Sequence, residues 1–600
     1  MHQRLPSEER PWLRHYGLTA EDGILKDAGH ITMWRYLERQ LLGQGDEYPA
    51  LRYFGKEVKR SEFIKGVYLW AKTFRGMGVQ TDDKVVLFSP FSPEVAEILC
   101  ALNFIGAWPI LPNMTVCADS LKSSLQGACA VVVADAVESS IAPVIGEVPE
   151  IKNIIRISVS DDMPAFLRLV FRIRSGFSRS AAVGKDSRCV TARTAIRRWS
   201  SWSGELEAPY DPKRPAIVTS SGGTSKDGYA KQIMDSNNAV VAMIEQVKYS
   251  AIDSRLKRGG ICYTPLPPFV STSFFVLFFG PLCYNMTCVM DPRPVEDTFI
   301  GNVLKIRPQL TLIPGYCWVY FFRRVEELIR EGKKPDLSFF SLPIVGGEGV
   351  NREELRWMNR LLRECGSSVG MVCGYGMSEV FSLLSVDDRG GFASDNDTEP
   401  VISVGFPMPL AEVGVFDDNG RELGYGSRGE LRVKTPTVML GYYRNEELME
   451  KAFDSGWLRS GDLCSVNEEG MIFVYGRISR GYASVNGSKY YPVDFELVLN
   501  GDDEVRGSMI LNMAEKGEKP RLVAHILIYD DCADTDALLR RLDAKMKSEF
   551  PEDVRIEGYK FHRGIFRLSP VCKIDRNFYK RDRKGYLKVL QDRVETISFD

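Results

Sequence analysis

Two short stretches of this 600-residue chain carry side chains suited to handling phosphate. Thr219-Ser220-Ser221-Gly222-Gly223-Thr224-Ser225 follows directly on the apolar run Ala216-Ile217-Val218. A hydroxyl- and glycine-rich turn after a strand lets backbone amides and hydroxyls approach phosphate oxygens that bulkier side chains would block. Lys231 lies just beyond and adds a positive charge. The same composition also suits a plain flexible connection. The second stretch is Gly374-Tyr375-Gly376-Met377-Ser378-Glu379. Glycines on both sides of an aromatic allow a flat ring to sit at a backbone bend. A hydroxyl followed by a carboxylate offers the hard oxygen ligands that Mg²⁺ prefers. The plain alternative is a strand-to-helix turn capped by Ser378 or Glu379.

Further motifs follow these in order. SLPIVGGEG spans 341–349, VGFPMP spans 404–409 and GELRVKTPTVMLGYY spans 429–443. WLRSGDL follows at 457–463, GRISRGYASVNGSKYYPVDFE at 476–496 and LSPVCKIDR at 568–576. Collinear over roughly residues 30–580, the set resembles the acyl-adenylate-forming (AMP-binding) enzymes: acyl-CoA synthetases, adenylation domains and beetle luciferases. The opening PWLRHYG is similar to the start of bacterial fatty-acid-type CoA ligases.

The resemblance implies roles residue by residue. Ser220, Ser221, Gly222, Gly223, Thr224, Ser225 and Lys231 match the phosphate loop. Gly347 and Glu348 match the adenine-pocket strand, with Gly374, Tyr375 and Gly376 beside them. Asp462 corresponds to the aspartate that holds the ribose hydroxyls, and Arg477 lies near the ribose. Ser378 and Glu379 match the hydroxyl and the magnesium-binding carboxylate. Lys573 takes the place of the catalytic lysine, Arg480 that of the hinge, and Gly487 lies on the thiol-transfer face. The implied reaction joins a small-molecule carboxylic acid to AMP, using ATP and Mg²⁺ and releasing pyrophosphate. The acyl group then passes to coenzyme A. Alternatives are transfer to the phosphopantetheine of an acyl carrier protein, or a degenerate member that binds nucleotide or acyl groups without turnover.

Departures from the family pattern bear on these alternatives. KDGYAK lengthens the phosphate loop and changes its composition, Ser378 replaces threonine, and Cys572 replaces the glycine before the lysine. Val270, in PLPPFVS, stands where many acyl-CoA synthetases carry histidine and amino-acid-activating domains carry aspartate. With the run FVSTSFFVLFF, it suits an apolar fatty or aryl acid better than a zwitterion, although that run also reads as structural core.

Composition narrows the field independently. Lys+Arg 77 against Asp+Glu 79 gives no electrostatic case for a nucleic-acid partner. The five histidines are His2, His15, His30, His525 and His562, so the stretch between 31 and 524 can hold neither a Ser-His-Asp triad nor histidine metal ligands. Thirteen cysteines without a Cys-x-x-Cys pair argue against a disulfide framework and for a reducing compartment. The polar MHQRLPSEERPWLRHYG lacks the apolar core of a signal peptide, so a cytoplasmic location is expected. Phe269–Cys283 is too short to span a bilayer and reads as a buried helix.

The elements that must position these residues follow from periodicity. Residues 58–111 alternate helical and strand patterns, and short apolar runs recur between helical segments after residue 215, as in a largely parallel sheet covered by helices. From about residue 400 the texture changes to short β segments with Asn-Gly and Glu-Gly turns. The expected fold is α/β, mixed α+β. A large domain over 1–476 holds stacked α/β subdomains and a β-rich subdomain; a small mobile α+β domain covers 477–600. Residues 163–198 carry nine Lys/Arg and one acid, and MPAFLRLVFRIRSGF interleaves arginines with apolar residues. The expectation is a solvated loop or a helix packed on its own domain, with at most peripheral membrane contact.

Overall fold

The computed structural model describes the chain apart from residues 1–3, 20–21, 23–29, 175–182, 225–229, 294, 398, 400, 482, 486–487, 515–517, 531, 570–572, 591–592 and 600. Two large sheets organise the N-terminal part. The first has eight strands in the order Gly441–Tyr442, Ala230–Ser236, Pro215–Thr224, Trp108–Ile110, Lys84–Phe88, Ala128–Ala134, Asn153–Ile157 and Cys189–Thr191. It is parallel from Pro215–Thr224 to the Cys189–Thr191 edge, and antiparallel where Ala230–Ser236 folds back on Pro215–Thr224. The second has nine strands, with Val372–Tyr375, Leu342–Val345, Leu310–Ile313, Ile261–Thr264, Thr287–Met290 and Leu51–Tyr53 as its parallel centre. Strands buried on both faces read as continuous apolar runs, and Leu310–Ile313 and Leu342–Val345 are buried at every position.

One apolar core joins the two sheets through the helices between them. Pro93–Phe104 shows why the sequence settles there: ten of its residues are buried, all but Glu94 and Glu97, so it needs protein on nearly every side. Its Ser92 N-cap side chain accepts from the Val95 amide. The β-rich part is a six-stranded sheet that includes Glu412–Phe416, Gly429–Lys434, Trp457–Val466 and Ile472–Arg477. The C-terminal part is a five-stranded sheet, Val505–Asn512 to Arg593–Ile597, with helices Pro492–Asn500 and Thr535–Glu549 packed on its own core. The whole is a mixed α/β molecule with a large N-terminal and a smaller C-terminal domain.

Three segments depart from expectation. The run 269–283 is buried, but it is not one regular helix. Ser271–Phe274 is α-helical, Phe275–Phe279 widens into a π turn, and Gly280–Cys283 resumes the α-helix. A π turn redirects backbone carbonyls, and Cys262 Sγ donates to Leu277 O at 3.5 Å while Cys288 Sγ donates to Phe278 O at 3.6 Å. The basic segment forms helix Ala165–Arg174, yet much of its apolar surface is left exposed. The phosphate-handling run is also not a turn at its start, because the strand Pro215–Thr224 continues through it. Among the described residues no helix is long and apolar enough to cross a membrane.

Candidate active site

The parallel strands of the second sheet end at a cavity of about 1530 Å³, and strand ends are where an open α/β sheet offers backbone amides and loop side chains to a ligand. Ser221, Lys231, Gly347, Glu348, Tyr375, Glu379, Asp462, Arg477, Arg480 and Lys573 all line it. Segments more than 300 residues apart in sequence are thus brought to one space, from Lys231 to Lys573.

Within the Ser/Gly run the hydroxyls divide by position. Thr219 and Ser220 are fully buried. Ser220 Oγ donates to Leu111 O at 2.9 Å, and its amide donates to Phe269 O at 2.7 Å, so this serine ties strands and loops together and does not face the cavity. The reason is alternation: with the strand continuing, successive side chains point to opposite faces. Ser221 is the first of the run to line the cavity, where its Oγ accepts from the Lys231 amide at 3.2 Å. Gly222, Gly223 and Thr224 complete the strand. Ser225, Gly487 and Cys572 lie outside the described residues, as do most of the residues of the altered loop.

The Gly-Tyr-Gly stretch is strand Val372–Tyr375 followed by a 3-10 turn, Ser378–Val380, which ends on the left-handed Phe381. No long helix follows and no side chain caps the turn, so the capping alternative for Ser378 and Glu379 does not hold. A Cβ on Gly376 would fall 1.5 Å from Ser382 O, which only glycine tolerates. Gly374 has ordinary room, its nearest neighbour standing 3.5 Å from a built Cβ. Ser378 lines the cavity beside Glu379. Glu379 is buried except for its cavity face; Tyr442 OH donates to its Oε1 at 2.8 Å, and Lys231 Nζ stands 3.5 Å from the same oxygen. Lys231 Nζ also lies 3.4 Å from Tyr442 OH.

A second polar cluster sits across the cavity. Tyr375 OH donates to Asp462 Oδ2 at 2.6 Å, and Arg477 Nε pairs with Asp462 Oδ1 at 3.0 Å. Arg477 also donates to Ser460 O at 2.9 Å. Strand pairing sets this up, since Asp462 lies opposite Arg477 in the antiparallel register of Trp457–Val466 with Ile472–Arg477. Burial pushes the Asp462 carboxyl up, and Arg477 and Tyr375 pull it back in part.

The C-terminal part closes the third side. Glu348 Oε2 accepts from the Ile574 amide at 2.8 Å, and Arg576 Nη1 donates to Glu348 Oε1 at 2.7 Å. This holds Lys573 over Gly347, with its Cε 3.7 Å from where a Cβ would stand. Gly347 also has φ +80, and it is this backbone conformation that favours glycine there. Burial pulls the Lys573 amine below the ordinary lysine value, and the charges of Arg477 and Arg480 pull the same way while Glu348 and Asp462 oppose them. Burial also lowers the Arg480 guanidinium, with Arg576 adding to it and Glu496 and Glu348 opposing.

Beyond the polar region the cavity turns apolar. Ile244, Val247, Ile252, Leu256, Val270, Phe275 and Val276 line that end, with Gly280 and Tyr284 deeper along the same helical segment. The run 269–283 therefore serves as core on one side and cavity wall on the other. Two site residues escaped the sequence reading of roles. Tyr442, in Gly441-Tyr442-Tyr443, orients Glu379, and Arg576, in the terminal motif, grips Glu348. Each acts across a long sequence separation, so only its place in a motif could have marked it.

The arrangement gathers the cations Lys231, Arg477, Arg480 and Lys573 with a carboxylate at Glu379 and a hydrogen-bonded pair at Tyr375 and Asp462. Such a set can receive a polyanion beside an apolar group. The sequence profile described as AMP-binding enzyme matches residues 37–443. The 4-coumarate–CoA ligase-like 2 of Arabidopsis thaliana is 27% identical over 299 residues, 49% of each chain. A long-chain-fatty-acid–CoA ligase of Escherichia coli is 27% identical over 293 residues, 48% of each chain. The chain thus spans about half the length of the curated relatives it matches. Among solved structures, the anthranilate CoA ligase AuaEII in complex with anthranoyl-AMP superposes with a TM-score of 0.72 at 17% identity, covering 92% of this chain and 97% of that one. The amide bond synthetase McbA from Marinactinospora thermotolerans gives 0.71 at 18% identity, covering 92% and 99%. At these identities the structural likeness speaks for the fold.

Proposed function

The chain belongs to the AMP-binding enzyme family, and from that premise we propose that it activates an apolar carboxylic acid with ATP and passes the acyl group to the thiol of coenzyme A. The observation that carries this reading is the meeting of Lys231, Glu379, Asp462 and Lys573 around one cavity that continues into an apolar end. In the first half-reaction a carboxylate oxygen attacks the α-phosphorus, a P–O bond forms, and the bond to the β-phosphate breaks to release pyrophosphate. An anion must approach a polyanion, so the barrier is largely electrostatic. Lys573 and Lys231 offset that repulsion, and Asp462 with Tyr375 and Arg477 fixes the ribose end.

Glu379 is suited to Mg²⁺ by its chemistry: a hard-oxygen carboxylate facing the cavity, held in place by Tyr442. When bound, the ion supplies neutralisation of phosphate charge. In the second half-reaction the thiol sulfur attacks the acyl carbonyl, its proton leaves, and AMP departs. Lys573 must withdraw for the thiol to enter. The reading assigns this to rotation of a small domain over 477–600 about Arg480, with the segment around Gly487 brought to the site.

Names of relatives favour coenzyme A as acceptor, and the apolar wall favours fatty or aryl acids. The test is carboxylate-dependent ATP–pyrophosphate exchange over fatty, aryl and amino acids, repeated with coenzyme A. Exchange with an apolar acid followed by thioester formation is the expected result. Exchange without thioester would transfer the second step to a carrier-protein thiol. ATP binding with no exchange on any acid would overturn the catalytic reading.

A further inference from the structure

Exposed large apolar side chains are unevenly spread over this molecule. Among the described residues, Phe166, Leu167, Leu169 and Ile173 all belong to the one helix Ala165–Arg174. Phe166 is 74% exposed, Leu169 58% and Ile173 67%. Their spacing of three and then four residues puts them along one side of the helix, one above another. Single exposed apolar residues are ordinary; a stripe of them on one short helix is a patch that asks for a partner.

The helix is held from behind. Phe171 packs, half-buried, against the core that joins the two large sheets. Arg168 Nη2 donates to Asp161 O at 2.7 Å and to Met163 O at 3.2 Å. The outward stripe is therefore presented by an anchored element. Charge decides what it faces. The chain as a whole carries a formal charge of −2, yet residues 163–198 hold nine Lys/Arg and one acid. Lys185, Arg193, Arg197 and Arg198 are exposed. Helix Ala165–Arg174 follows strand Asn153–Ile157, which pairs with Cys189–Thr191 at the edge of the eight-stranded sheet, and helix Ala192–Trp199 continues directly from that edge. Basic and apolar surface thus share one border of the molecule.

We propose that helix Ala165–Arg174 docks the protein on an anionic bilayer, with Phe166, Leu169 and Ile173 entering the headgroup layer and the basic side chains of 185–198 meeting lipid phosphates. A second copy of this chain is a poor occupant, because a self-complementary contact would set two strongly basic segments against each other. A bilayer requires no groove or shape complement, and the stripe lies on a convex helix. The proposal is independent of the reaction assigned above.

The experiment is co-sedimentation of the full chain with vesicles of phosphatidylcholine alone, or of roughly equal parts phosphatidylcholine and phosphatidylglycerol. Binding to the anionic vesicles that falls as salt rises is expected. Replacing the stripe (Phe166→Ser, Leu169→Ser, Ile173→Ser) should weaken that binding about tenfold or more, with an unchanged thermal transition since all three side chains are exposed. Reversing charge with Arg193→Glu, Arg197→Glu and Arg198→Glu, which leaves the stripe intact, should abolish the preference for anionic over neutral lipid. The proposal fails if the unaltered protein stays in the supernatant, if it binds both vesicle types alike, or if the stripe variant binds as well as the parent. A stripe variant that instead turns a self-associating protein monomeric, with vesicle binding unchanged, would give the stripe to a second copy.

Discussion

Lys573 sits where backbone, burial and charge all bear on one amine. On the proposed mechanism its charge meets the phosphate as pyrophosphate leaves, so Lys573→Ala should slow adenylate formation on the order of 10²–10³-fold. Thioester formation from a supplied adenylate should change far less; comparable losses in pyrophosphate exchange and in that second step would contradict the role. The sign of its pH dependence also follows. Burial, then Arg477 and Arg480, lower the folded-state value, so the amine loses its useful charge at a pH below the ordinary lysine range. Adenylation should therefore fall on the alkaline side earlier than for a free lysine. Arg480→Gln removes one cationic neighbour and should move that limb to higher pH in the pH–rate profile. That Arg477, Arg480 and Lys573 line one cavity was legible because each lies in a short motif of distinctive chemistry. Ser220 was misplaced because the strand runs further than the glycines suggested, and alternation then turns its hydroxyl inward.

At the scale of elements, the Gly-Tyr-Gly bend and the broken helix each yield a test. Gly376→Ala would set a methyl carbon into the Ser382 carbonyl, and the backbone on one side must shift. A loss of about 2–3 kcal/mol in urea-unfolding stability is expected, while Gly374→Ala, whose Cβ would meet only ordinary contacts from 3.5 Å, should cost far less. Gly280 lies where the π turn gives way to α-helix; a Cβ there would stand 3.1 Å from Phe275 O, a tight contact the backbone must ease, and 3.8 Å from Ile244 Cδ1, with Gly280 and Ile244 both lining the apolar end. Gly280→Leu should therefore shift preference in the exchange assay toward shorter acids, with little change in the KM for ATP. The parallel strands were legible as short apolar runs because burial on both faces removes alternation. The π turn was not, since FFVLFF satisfies any buried helix; two of its carbonyls accept from Cys262 and Cys288 on neighbouring strands, contacts the local sequence does not show. Tyr442 and Arg576 were silent for the same reason, their roles being made by contacts across 63 and 228 positions.

At the scale of the molecule, the late histidines form a pair in the C-terminal sheet. His525 Nδ1 lies 2.9 Å from His562 Nε2, and Tyr586 OH meets His525 Nε2 at 2.9 Å. Burial pulls both imidazoles below their ordinary value, and each proton there would meet the charge of Lys560 as well. The unfolded chain binds those protons near pH 6.5, so their contribution to stability is whole above that pH and is lost progressively as pH falls toward the lowered folded-state values. The urea midpoint should drop on acidification from neutrality, and the double change His525→Gln, His562→Gln should flatten that slope. The grip of Arg576 and the Ile574 amide on Glu348 has a different consequence. On the proposed function, Glu348 belongs at once to the nucleotide site and to the anchorage of the tail. Ligand binding and tail docking are then coupled: by whatever factor nucleotide shifts docking, docking must by reciprocity shift nucleotide affinity.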